Sequence, residues 1–94
     1  MLESQLEKKL NVEVGRLGGK SMKWVSPGLR GVPDRIILFP GGRIFFVEMK
    51  APGKSLRPLQ EKRKREIETL GFRIYKIDSV EDINTLLEMV TNGI

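Results

Sequence analysis

Asp34, Glu48 and Lys50 are the residues of this chain whose types and spacing can do chemistry. Glu48 and Lys50 close an otherwise apolar run, IFFVEMK, at positions 44–50. Burying a charge is costly unless it is paired or coordinates a metal. Side chains alternate along a strand, so Glu48 and Lys50 point the same way, about 7 Å apart. Asp34 follows Gly31-Val32-Pro33, and Pro40-Gly41-Gly42 reads as a hairpin turn. Counted from the turn centre near Gly41, Asp34 lies as far back as Glu48 lies forward. Antiparallel pairing then makes the two carboxylates cross-strand neighbours. Carboxylates side by side repel, and one takes a raised pKa unless a cation sits between them. Oxygen ligands of this kind favour a hard cation, Mg²⁺ or Mn²⁺. A lysine ammonium beside them can orient a water nucleophile or stabilise charge developing on phosphorus. Each piece also has a plainer reading: Asp34 as a turn residue, Glu48 and Lys50 as a surface ion pair. The conjunction of all three with an apolar strand and a basic helix favours chemistry.

Composition narrows the choice. The chain has no cysteine and no histidine. That removes disulfides, thiolate nucleophiles, thiolate zinc sites, histidine bases and Ser-His-Asp triads. Any acid–base or metal chemistry must use Asp, Glu, Lys, Arg or Tyr. The net charge of +5 is uneven. Residues 50–76 hold nine Lys or Arg against three Glu, whereas the remainder is slightly acidic. A segment with a net charge of +6 is the electrostatic footprint expected for a polyanion partner. No apolar run is long enough to span a membrane, and the N-terminus lacks the hydrophobic core of a signal peptide. The expectation is a cytoplasmic protein.

The elements that must hold these residues follow from periodicity. Leu2, Leu6, Leu10, Val14 and Leu17 make one helical stripe, giving a helix over 3–17 that Gly18-Gly19 stops. Residues 21–25, 34–39 and 43–50 read as strands, with loops at 26–33 and a turn at 40–42. The third strand has apolar residues on both parities, which predicts a central strand covered on both faces. A loop at 51–57 leads to a helix over 58–70 that opens on Pro58 and carries Lys62, Arg63, Lys64 and Arg65 mostly outward. Gly71 ends it. A strand over 72–77 follows, then Ser79 and Asp82 open a last helix with Val80, Ile83, Leu86, Leu87 and Val90. The order is α-β-β-β-α-β-α in one domain spanning 1–94.

These residues resemble a family. "GVPD" at 31–34, "VEMK" at 47–50 and "RPLQ" at 57–60 are similar to the motifs of the PD-(D/E)XK nuclease superfamily, in particular its VRR-NUC branch. The resemblance covers nearly the whole chain. It implies an α/β restriction-endonuclease-like αβββαβ core, with a mixed central sheet flanked by helices and an added C-terminal helix. It implies that Asp34 and Glu48 hold Mg²⁺ or Mn²⁺ with the Met49 carbonyl as a further ligand, that Lys50 positions the attacking water, and that Gln60 supports the site. Family members also use a glutamate on the first helix. Helical geometry leaves Glu3 and Glu7 open, since both border the apolar stripe. The spacing in related junction resolvases, eleven residues before the glycine that ends the helix, points to Glu7.

The resulting expectation is a metal-dependent endonuclease acting on DNA, with Arg30, Lys54, Arg57, Lys62, Arg63 and Lys64 as phosphate contacts. Arg35 also flanks the site, but strand alternation points it away from Asp34. Trp24 and Tyr75 fit core packing better than base stacking. So small a domain has no room for a sequence-reading module, which favours shape recognition, and the resemblance implies branched DNA such as four-way (Holliday) junctions. Paired cutting needs two active sites, which predicts a homodimer; Leu86, Leu87, Met89 and Val90 are the apolar surface expected for it. The rival reading is a non-catalytic, basic nucleic-acid-binding module. A protein–protein adaptor has no positive feature in its favour.

Overall fold

The computed structural model describes residues 1–93. The elements run α1 (Glu3–Arg16), β1 (Lys20–Lys23), β2 (Arg35–Phe39), β3 (Arg43–Met49), α2 (Pro58–Thr69), β4 (Ile74–Ile77) and α3 (Val80–Thr91). This is the expected order, with helix and strand ends shifted by one or two residues. The strands form one mixed sheet in the order β1-β2-β3-β4. The first three are antiparallel and β4 is parallel to β3. A parallel neighbour needs a crossover, and α2 supplies it.

The hairpin register decides the site. Arg35 pairs with Val47 and Phe39 with Arg43, so Asp34, one residue before β2, stands opposite Glu48. The turn holds the count because Gly41 and Gly42 both take positive φ, 87° and 75°, a conformation glycine adopts without strain.

The two sheet faces differ. On one, Ile37, Phe39, Phe45, Val47, Met49 and Ile77 pack against Leu6, Leu10 and Val14 of α1 and Ile83 and Leu86 of α3. These residues form the core. On the other face, α2 buries none of its own residues. It leans on β4 and on the loop before β2, where a Cβ on Gly31 would stand 2.8 Å from the Leu59 carbonyl oxygen.

Two expectations change here. β3 is central, but it is not covered on both faces: Ile44 is 43% exposed. Apolar residues on both parities signal two apolar faces, not two helices to cover them. The α3 residues expected as spare dimer surface are less exposed than that expectation supposed. Leu86 is buried, and Leu87, Met89 and Val90 pack against the core. Part of the exposed apolar surface, Leu38 and Ile44, lies on the opposite face of the sheet.

Candidate active site

Asp34, Glu48, Lys50 and Gln60 converge where β3 emerges from the sheet. Glu48 is 5% exposed, and its Oε2 accepts a 2.8 Å hydrogen bond from Gln60 Nε2. The Lys50 ammonium stands 3.8 Å from the same oxygen and is itself largely buried. Asp34 is held from across the hairpin: the Met49 N–H donates to its carboxylate at 3.2–3.3 Å. Backbone bonding of Asp34 continues the β1–β2 ladder, with the Trp24 N–H donating to its carbonyl at 2.9 Å. Gln60 is itself fixed, because its Oε1 accepts the Arg57 N–H at 2.9 Å. That bond satisfies a donor at the start of α2, where backbone N–H groups lack helical partners. One amide therefore caps the helix and orients Glu48.

The electrostatics match two acids crowded together. Burial pushes the Asp34 carboxyl up to about 6, against the opposing Met49 hydrogen bond and with help from the charges of Glu7 and Glu3. Burial pushes Glu48 up to about 7, reinforced by the Asp34 charge and opposed by Lys50. The positive charges nearby, Lys50 beside Glu48 and Arg35 acting on Asp34, do not cancel the effect of burial on either carboxyl. Among the described residues no three His, Cys, Asp or Glu side chains cluster as ready-made metal ligands. The side-chain oxygens gathered at this point are those of the Asp34 and Glu48 carboxylates.

The chain is 43% identical over 88 residues to "Putative nuclease p44" of Acyrthosiphon pisum secondary endosymbiont phage 1, an alignment covering 94% of each chain. A solved structure described as a VRR_NUC domain matches the fold with a TM-score of 0.85 at 26% identity, covering 92% of this chain and 94% of that one. The chain belongs to the VRR-NUC family of nucleases. No family model matches its sequence.

The other expected residues of this VRR-NUC domain fall into two groups. Glu7 does not join the carboxylate pair directly: its Oε2 takes a 3.1 Å ion pair from Arg35 Nε. Arg35 is buried and its Nη1 also reaches Ser21 Oγ at 3.3 Å, while its charge still acts to lower Asp34. Glu3 instead lines an open cleft with Lys50, Lys54, Ser55 and Arg57. Lys54, Arg57, Arg30 and Lys62 are exposed. Arg63 is turned inward, donating to the Arg30 carbonyl at 2.8 Å and pairing with Glu66. Lys64 is tied to Glu68 at 3.1 Å. For Arg63 the geometry favours a structural tie between α2 and the loop before β2 over a phosphate contact. A helical charge run does not reveal this, because the acceptor on Arg30 is a backbone atom distant in sequence. Trp24 packs on Phe46, ring centroids 5.4 Å apart, and Tyr75 on Phe45 at 5.7 Å, both packing roles. No described helix is long and apolar enough to cross a membrane.

Proposed function

We propose that this VRR-NUC protein is a metal-dependent endonuclease that hydrolyses phosphodiester bonds in DNA, selects branched DNA such as four-way junctions, and acts as a homodimer. The observation that carries the reading is the buried Glu48 facing the half-buried Asp34 beside Lys50, next to a cleft carrying Lys54 and Arg57. The donor set fits Mg²⁺ or Mn²⁺, since it is all oxygen and carries excess negative charge. Asp34, Glu48 and the Met49 carbonyl would hold such an ion, which when bound polarises a phosphoryl oxygen and acidifies water.

The chain's own residues then have distinct tasks. Lys50 donates hydrogen bonds that hold the attacking water in line with phosphorus and offset the charge that develops there. Gln60 keeps the Glu48 carboxylate in one orientation, so it is a positioning residue. Arg30, Lys54, Arg57 and Lys62 grip flanking phosphates, which fixes the register of the DNA without reading sequence. Lys64 joins them if it releases Glu68. For the helix glutamate, the family resemblance supports Glu7 acting on Asp34 through its field or through water, while the cleft lining supports Glu3. Parallel Glu3→Gln and Glu7→Gln variants separate the two: the variant that loses metal-dependent cleavage identifies the residue.

The test is a gel of branched, flapped and linear DNA with Mg²⁺, Mn²⁺ or chelator. The reading predicts metal-dependent cleavage, strongest on the branched substrate. Salt-sensitive binding with no turnover in either metal would establish the rival, a non-catalytic binding module.

A further inference from the structure

We infer that Asp78 and Lys76 are positioning residues that hold the turn after β3 so that Lys54 and Arg57 face DNA phosphates. The inference rests on the reading of that cleft as the DNA-binding part of a nuclease. Lys50 leaves β3 beside the end of β4, where its N–H donates to the Ile77 carbonyl at 2.9 Å. The chain then turns at Ala51-Pro52-Gly53-Lys54, closed by the Lys54 N–H on the Ala51 carbonyl at 3.0 Å. Proline second and a glycine of φ 79° third are what a type II turn requires.

Two bonds from the end of β4 fasten this turn by its backbone. The Gly53 N–H donates to Asp78 Oδ2 at 3.2 Å. Lys76 Nζ donates to the Lys54 carbonyl at 3.3 Å. The two side chains also pair with each other, Nζ to Oδ2, at 3.5 Å. Asp78 is anchored in turn. Its N–H donates to Asp82 Oδ2 at 3.1 Å, and the Asp82 N–H donates to Ser79 Oγ, the cap of α3. A line of hydrogen bonds thus runs from the first turn of α3, through the end of β4, to the turn that carries Lys54. Among the described residues, Lys50, Lys54 and Arg57 border the cleft, and Asp78 and Lys76 do not.

The benefit is preorganisation. Fixing the backbone of a loop costs conformational entropy, and a turn already fixed in the free protein does not incur that cost when DNA binds. The two bonds engage backbone groups only, so the exposed side chains of Lys54 and Arg57 stay available to phosphate.

The charge of Asp78 makes the role testable by sign. A carboxylate near a phosphate-binding cleft repels DNA, so deleting a merely adjacent one tightens binding. Asp78→Ala and Asp78→Asn delete the same charge, but asparagine keeps an oxygen that accepts the Gly53 N–H. The difference between them isolates the hydrogen bond. Asp78→Ser, neutral and one bond too short to reach Gly53, repeats the test if the alanine variant does not fold.

The experiment measures amide hydrogen exchange at Gly53, binding of a branched DNA in chelator, and turnover at saturating DNA in Mg²⁺. Gly53 should be protected in wild type and Asp78→Asn and exchange faster in Asp78→Ala. Asp78→Ala should bind DNA about three- to ten-fold more weakly than Asp78→Asn, the worth of one hydrogen bond, with turnover at saturation within a few-fold. Without Lys54 and Arg57, both replaced by alanine, that difference should vanish, because Asp78 acts through them. Equal binding by the two Asp78 variants overturns the inference, as does a difference that persists without Lys54 and Arg57, or a Gly53 amide unprotected in wild type. The nuclease reading fails separately. A binding difference with no cleavage by any form in either metal would sink catalysis and leave the positioning role standing, whereas a wild type that binds no DNA would end both.

Discussion

At the scale of single residues, burial raises the Asp34 and Glu48 carboxyl groups together, with neighbouring negative charge adding to it. Asp34 sits at about 6 and Glu48 at about 7, both above their ordinary values. The sign follows directly. Between about pH 4 and 7 the folded chain binds these protons more tightly than the unfolded chain, so their contribution is full below that window and lost as pH rises through it. In chelator, thermal melts should show wild type losing stability relative to Glu48→Gln as pH climbs from 4.5 to 7.5. Mg²⁺ should restore wild type at pH 7.5 and do little for the variant. A constant difference across that range would show that folding does not raise the Glu48 carboxyl. The pairing itself was legible in the sequence, because a turn centred on Gly41 fixes which residues face each other. The helix glutamate was not. Glu7 is engaged by Arg35 from the core face of β2, and spacing along α1 carries no information about a partner 28 residues away.

At the scale of elements, α2 is positioned by its first turn and by one glycine. Gln60 bonds both Arg57 and Glu48, and Gly31, at φ 85°, lets Leu59 approach. An alanine there would take a strained backbone and press its Cβ 2.8 Å from the Leu59 carbonyl. Gly31→Ala should cost about 2–3 kcal/mol, lowering Tm by about 8–20 °C for a domain of this size. Cleavage should fall with it, since Gln60 rides on α2. A melt within about a degree of wild type would mean that the loop yields freely. Gln60→Ala should leave the fold intact and lower the turnover rate more than the apparent affinity for DNA, because it orients Glu48 rather than touching phosphate. The glycine in GVPD is legible as a loop residue; that it makes room for a helix 28 positions on is a packing fact visible only in three dimensions. Similarly β4 starts at Ile74 rather than 72: the Ile74 N–H goes to Glu68 at 3.1 Å, and Phe72 turns onto Phe46.

At the scale of the whole molecule, the charge gradient sets which surface can meet a polyanion. Lys54 and Arg57 stand in the open cleft beside the buried centre. If each neutralises one phosphate, the double substitution Lys54→Ala with Arg57→Ala should flatten the salt dependence of DNA binding by about two units of slope. A slope unchanged within error would place the DNA elsewhere on the surface. Element order, strand centrality and the basic segment were all readable from periodicity and charge. The bare half of the sheet was not, because alternation reports which positions are apolar and says nothing of what covers them.

The central claim is that Asp34, Glu48 and Lys50 form one hydrolytic centre. Its most direct test is initial-rate cleavage of a branched DNA in Mg²⁺ by wild type, Glu48→Ala and Lys50→Ala, each shown to be folded. Both variants should lose about a hundred- to a thousand-fold in rate or more, the scale associated with removing a preorganised group from a charged transition state, while DNA binding stays within a few-fold. Undiminished cleavage by both folded variants would contradict the account.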